Sequence, residues 1–150
     1  MWLLLGLVVV GGGAWLAVAA SRRRAWDERY GGLLAEARWV HDSLAPSVTN
    51  RLTPDAQVQQ QWPDGKRRLD DLQAGLYQLG PKVPDDTRAG RLNRVSGAVA
   101  ALGSALTEDV ALRGPAVASS AEALARSAQT VEACRGRLLA AIDDLPVDGS

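Results

Sequence analysis

Phenylalanine is absent from this chain, and isoleucine, histidine and cysteine occur once each, as Ile142, His41 and Cys134. With so few β-branched and aromatic residues beyond scattered valines, the material for a β-sheet is missing and the body reads as all-α. One cysteine excludes an internal disulfide and a multi-cysteine metal site, leaving Cys134 the role of a small packing residue. One histidine excludes a zinc pair at helical spacing. Charge of one sign is not in excess either: 17 basic residues balance 17 acidic ones, and a pI near 6.6 leaves no electrostatic footprint for nucleic acid. No phosphate-binding glycine loop occurs, because the run Gly11-Gly12-Gly13 lies inside an apolar stretch. These absences leave no cofactor or small-molecule substrate to infer.

What the chain does have is a head without charge. From Trp2 to Ala20 no residue ionises, and Ser21-Arg22-Arg23-Arg24 follows at once. A helix over this stretch is about 28 Å long, close to the roughly 30 Å hydrocarbon thickness of a bilayer. Nine strongly apolar residues (Leu3, Leu4, Leu5, Leu7, Val8, Val9, Val10, Leu16 and Val18) favour insertion by roughly 3 to 5 kcal/mol before the glycine costs. Residues 1–20 are therefore expected to be a transmembrane anchor, with Trp2, Leu5, Val9, Trp15 and Leu16 as its membrane-contacting residues, Trp2 and Trp15 lying toward its two ends. Residues 21–25 form a basic juxtamembrane segment. Arg22, Arg23, Arg24 and Arg29 set topology or meet anionic lipid headgroups, at about 1 kcal/mol per charge.

The rival reading is a secretory signal, since Ala17-Val18-Ala19 resembles an A-x-A cleavage site. Export signals place positive charge ahead of their apolar core, and here the order is reversed. The arginines are expected to stay inside, which puts the N-terminus outside and residues 21–150 in the cytoplasm. Gly11-Gly12-Gly13 and the spacing of Gly13 and Ala17 would let two spans approach closely and self-associate.

About 130 residues remain beyond the anchor, enough for one compact domain, expected over residues 26–146 with a flexible tail at 147–150. Trp26, Tyr30, Leu33, Ala37, Val40 and Leu44 draw one apolar stripe on a helix that Gly31-Gly32 weakens and Pro46 is expected to end. Residues 46–63 read as the least regular stretch, a short turn or loop in which Thr53 caps and Pro54 opens a helical turn. Trp62-Pro63-Asp64-Gly65 punctuates the chain again. A second helix over about 63–79 buries Leu69, Leu72, Leu76 and Leu79, and Gly80-Pro81 stops it. The third carries Leu92, Val95, Val99, Leu102 and Leu106 behind the acidic pair Asp85-Asp86, which suits a helix N-terminus. After a corner at Gly114-Pro115, Val117, Leu124, Val131, Leu138 and Leu145 recur every seven residues, with Ala121, Ala128 and Ile142 beside them and Arg135 breaking that line. Short connections make these helices antiparallel neighbours, so the fold class is a single N-terminal transmembrane helix followed by an antiparallel bundle of about four helices. The heptads of the last helix make it the candidate for pairing with another chain.

Chemistry is harder to place. His41-Asp42-Ser43 holds the three residue types of a hydrolase, but neighbours on a helix point about 100° apart and are not expected to form a relay. Cys134 lies near Arg135 and Arg137 in sequence, yet has no base to take its proton. The adjacent carboxylates Asp70-Asp71, Asp85-Asp86 and Asp143-Asp144 read as caps and solvated faces, and nothing in the pattern calls for a polar cluster inside the bundle. Trp39 and Trp62 remain as core fillers or partner-docking residues. The arrangement resembles, in architecture alone, the short single-pass membrane proteins with a cytosolic helical domain found in high-GC bacteria, a likeness that transfers no functional residue. The expectation is a non-enzymatic, membrane-tethered module with no catalytic, cofactor or metal residue, whose partners are the lipid bilayer and an unidentified protein or a second copy. An exported or envelope-side domain and a non-catalytic regulatory stalk of a signalling system are the alternatives. A continuous helix from the span to Leu44 favours the stalk, and a break at Gly31-Gly32 opposes it.

Overall fold

Leucine and valine at three- and four-residue spacing, with caps between them, divide the chain into helices. The computed structural model describes the backbone of residues 2–144 and the side chains of residues 12–144. Regular structure among the described residues is entirely helical: α1 (Trp2–Trp39), a π-helical turn (Val40–Leu44), α2 (Ala45–Thr49), α3 (Asp55–Leu79), a 3-10 turn (Gly80–Lys82), α4 (Asp86–Leu112) and α5 (Ala121–Asp143). The all-α expectation holds, with four long helices.

Cross-helix pairs give the directions. Trp26 meets Leu79, Leu33 meets Gly75, Glu36 meets Arg68 and Leu44 meets Gly65, so α3 runs back along α1. Leu69 packs on Gly103 and Asp55 meets Arg113, which turns α4 against α3. Arg94 pairs with Asp144, and Arg38 donates to Asp143 at 3.0 Å, which brings α5 down beside both α4 and α1. The result is an up-down-up-down bundle. Trp26, Tyr30, Ala37, Val40 and Leu44 of the first stripe are buried, as are Leu69, Leu72, Leu76 and Leu79 of the second and the whole expected stripe of α4. Asp85 caps α4 by accepting from the Arg88 backbone N–H at 2.9 Å, and Ser120 caps α5 by accepting from Ala123 N–H at 3.1 Å. Each such cap contributes about 1 kcal/mol.

Several boundaries differ from expectation. Pro46 does not end the first helix. The chain widens into the π-turn, in which Ala45 N–H reaches Val40 O, and continues into α2. A wider turn relieves the clash between a proline ring and the carbonyl four residues back. Pro46 has no N–H for the next bond of the ladder, which leaves His41 O free, and Arg135 Nε donates to it at 3.1 Å. The arginine that interrupts the α5 line is thus a strut against the π-turn. Gly31-Gly32 produces no break, because α1 passes through both.

Residues 46–63 are likewise more regular than their composition suggests. α3 begins at Asp55, with Pro54 rather than Thr53 at the cap position and Pro63 inside the helix. The 62–65 segment does not interrupt it, because tertiary contacts outweigh local propensity: Val58 is buried and Gln59 Nε2 donates to Val110 O at 2.8 Å. Gly65 serves close approach, not a turn, since a Cβ there would collide with Leu44. In α5 the seven-residue repeat is shorter than read. Val117 lies exposed before the helix, Leu145 falls outside the described residues, and the buried line is Ser127, Val131, Cys134, Leu138 and Ile142. With Val131 and Leu138 fully buried, that face is consumed inside the bundle.

Among the described residues, the helix long and apolar enough to cross a membrane is α4, with mean hydropathy 1.3 over its most apolar 18 residues, 44% of which are buried. It packs between α3 and α5, so its apolar face is satisfied by protein. The part of α1 whose side chains are described does not reach that hydropathy; within the span expected at residues 1–20 the side chains of Trp2, Leu5 and Val9 lie outside the described residues, as does the tail at 147–150.

Candidate functional site

One stripe of α1 turns toward the α3–α4 corner. Val18, Ala19 and Arg22 stand three, four and seven residues after Trp15, and Trp26 and Arg29 four and seven after Arg22, the spacing of a single helix face. Trp26 fixes the distance between the two walls: it is buried, stacks on Tyr30 with ring centroids 4.8 Å apart, and its Nε1 donates to Leu79 O at 3.4 Å. Burial in the same place pushes the Tyr30 phenol up. Leu79 leads into the 3-10 turn and Val83-Pro84, so Pro81, Lys82, Val83 and Pro84 face the α1 stripe across a cleft of about 800 Å³. Arg22, Arg23 and Arg29 line it from α1, and Lys82 from the corner.

Beside the cleft, Arg88 ties α1 to α4. It donates to both carboxylate oxygens of Asp27 at 2.8 Å and to Asp85 Oδ2 at 2.6 Å. Hydrogen bonding from the guanidinium holds the Asp27 carboxyl below the usual carboxylate range, and the Arg88 backbone N–H followed by its side chain does the same for Asp85. The Arg88 pKa is raised in return. Arg22, Arg23, Arg29 and Lys82 make no ion pair among the described residues, whereas Asp27 and Asp85 are both held by Arg88.

The expected anchor residues that are described, Trp15 and Leu16, are 72% and 64% exposed, and Val18 is 51% exposed. Arg22, Arg23, Arg24 and Arg29 are all exposed. Trp39 and Trp62 are not free surface residues: both are partly buried against the core. The Arg68 guanidinium lies 3.7 Å above the Trp39 ring and grips both oxygens of Glu36, whose carboxyl it holds below the ordinary range.

The opposite end of the bundle corrects one expectation outright, because a buried polar cluster does exist there. Asp109 is fully buried and takes a bidentate pair from Arg51 at 2.7 and 3.1 Å. Arg113, also buried, donates to Asp55 Oδ1 at 2.7 Å, to Thr53 O at 2.6 Å and to Val48 O. The cluster clamps the 50–54 connection onto the end of α4. Among the described residues no buried side-chain nitrogen or oxygen lacks a partner. With each buried polar atom partnered, the contacts join Arg51, Asp109, Asp55 and Arg113 into a latch across the end of the bundle. A signal for it existed: the α4 stripe, continued by three and four residues past Leu106, lands on Asp109 and Arg113. Lys82 was missed for a different reason, since only the fold returns the corner to the level of Arg22.

His41 and Asp42 also depart from expectation, because within the π-turn His41 Nδ1 lies 2.5 Å from Asp42 Oδ1. Ser43 is exposed beside them. Cys134 is buried. Among the described residues, no three His, Cys, Asp or Glu side chains are grouped to hold a metal ion. No known protein family, curated protein or solved structure matches this chain.

Proposed function

We propose that the protein is a membrane-tethered helical module that holds a protein partner at the cytoplasmic face of the membrane. The observation that carries this reading is the exposed part of α1. Trp15, Leu16 and Val18 stand in the open on a helix that continues without a break into the buried Trp26 and Tyr30. Leaving such side chains in water costs about 1.5–3 kcal/mol each, which a bilayer removes. The expected span of residues 1–20 supplies the rest of the apolar length, and Arg22, Arg23 and Arg24 keep the bundle on the cytoplasmic side. Trp39 and Trp62 serve this role by shaping the α1–α3 surface rather than by projecting from it.

The continuity of α1 favours a second reading, the regulatory stalk. A helix unbroken from Trp2 to Trp39 and locked to α3 by Trp26 transmits a tilt or piston shift of the span to the bundle. The two readings share the anchor and differ in whether the bundle responds to it. An exported or envelope-side domain is the third. A topology reporter fused after Ser150, read with the mature mass and a carbonate wash, tests the common element. A cytoplasmic signal, an untrimmed chain and retention in the pellet are the expected results; extraction by carbonate, or trimming near residue 20, refutes the tether.

A further inference from the structure

We infer that the cleft between α1 and the α3–α4 corner is a binding site for the headgroup of an anionic phospholipid. This rests on the tether proposed above, which sets the height of the cleft. Arg22 is two residues past the uncharged run, and Trp15 about 10 Å below it along the helix, so the cleft spans the boundary between hydrocarbon and headgroups. Its lining changes in the same direction as that boundary. Trp15, Val18 and Ala19 form the lower α1 wall, and Arg22, Arg23 and Arg29 the upper one. Lys82 stands on the opposite wall, with Pro81, Val83 and Pro84 supplying apolar surface beside it.

Charge complementarity selects the occupant. Four cations face a volume of about 800 Å³, which falls within the roughly 300–1,000 Å³ of small-molecule sites. None of the four is paired with a carboxylate among the described residues, while Asp27 and Asp85, the acids beside the two walls, are both held by Arg88. Glu28 is exposed and is not part of the lining. A phosphodiester fits the upper half and acyl chain the lower half, whereas a free phosphate would leave Trp15, Val18 and Val83 uncovered. The site is also stiff. Pro81 and Pro84 restrict the corner, and the Trp26–Leu79 hydrogen bond sets its distance from α1, so little ordering is needed on binding.

The test uses the full chain, reconstituted in nanodiscs of phosphatidylcholine with or without phosphatidylglycerol, then released and weighed by native mass spectrometry to count retained lipids. Wild type is expected to retain phosphatidylglycerol in preference to phosphatidylcholine. Lys82→Gln and Arg29→Gln, chosen because they leave the Arg22-Arg23-Arg24 cluster intact, are each expected to weaken that preference about fivefold, and together about 25-fold. Equal retention of the two lipids by wild type overturns the site, as does a double variant that behaves like wild type. A rise in the thermal unfolding midpoint in detergent on adding inorganic phosphate that equals the rise on adding phosphatidylglycerol would assign the cleft to a soluble ligand and equally overturn it. Carbonate resistance and thermal unfolding of the same variants keep the outcomes apart: a folded, carbonate-resistant protein without lipid preference refutes the cleft alone, and a carbonate-extracted one refutes the tether.

Discussion

Replacing Arg113 separates two accounts of what holds the far end of the bundle. Its partners are one carboxylate, Asp55, and the main-chain oxygens of Val48, Asn50 and Thr53, the Asn50 contact being the longest at 3.4 Å. The Asp55 side chain is 64% exposed whereas that of Arg113 is 2% exposed, so on losing Arg113 the carboxylate simply hydrates at little cost. The carbonyls differ. Val48 is buried, and the shortest contacts are those to Val48 O and Thr53 O. Two acceptors left without a donor cost about 1–3 kcal/mol each. Arg113→Ala is therefore expected to lose about 3–4 kcal/mol, a large part of the roughly 5–15 kcal/mol that holds a domain together, and to lower the melting temperature by roughly 10–15 °C. Asp55→Ala leaves the buried guanidinium with its carbonyl partners and water at the exposed Asp55 position, and is expected to lose about 1–2 kcal/mol. Arg113→Lys falls between, because a single ammonium cannot serve three carbonyls from one position. Denaturant unfolding of the full chain in detergent, followed by far-ultraviolet circular dichroism, measures all three. Equal losses from Asp55→Ala and Arg113→Ala would mean that the ion pair, not the carbonyl clamp, is what matters, and the reasoning would fail.

The glycines give opposite expectations at two places. Gly65→Ala drives a methyl into Leu44 and is expected to destabilise by about 1–3 kcal/mol, with partial recovery in the Leu44→Ala double variant, whereas Gly31→Ala, which meets nothing within 4 Å, is expected to stabilise by up to about 1 kcal/mol. Unfolding midpoints of the variants decide both. The Arg88 bridge predicts an acid limb: the folded-state pKa values of Asp27 and Asp85 lie below their ordinary 3.8, so their contribution is full above that pH and is lost as the pH falls through the lowered values. Arg88→Gln is expected to flatten that loss, and a pH series of unfolding midpoints that superposes on wild type would contradict it. Cys134, on the buried face of α5, is expected to resist maleimide in the native protein and to react once the bundle opens, so labelling at the encounter-limited rate without denaturant would show that α5 does not pack as described.

Sequence alone determined the helical class, the stripes of α3 and α4, the corners at Gly80-Pro81 and Gly114-Pro115 and the basic collar, because each is written in local periodicity, turn chemistry or charge order. It also proposed the uncharged span, which rests on transfer energetics that need no partner. Tertiary contact decided the rest. Pro46 and Pro63 look like stops when only their neighbours are considered. They lie within helical chain because Arg135 serves the freed His41 carbonyl and because the core draws in Val58 and Gly65 on either side of Pro63. The Arg113 latch and the Lys82 wall join residues more than fifty positions from their partners, and such pairings leave no mark in a local pattern. Local rules account for the energy of one helix at a time, whereas an orphaned carbonyl or an unpaired cation is settled only by whatever the fold brings beside it.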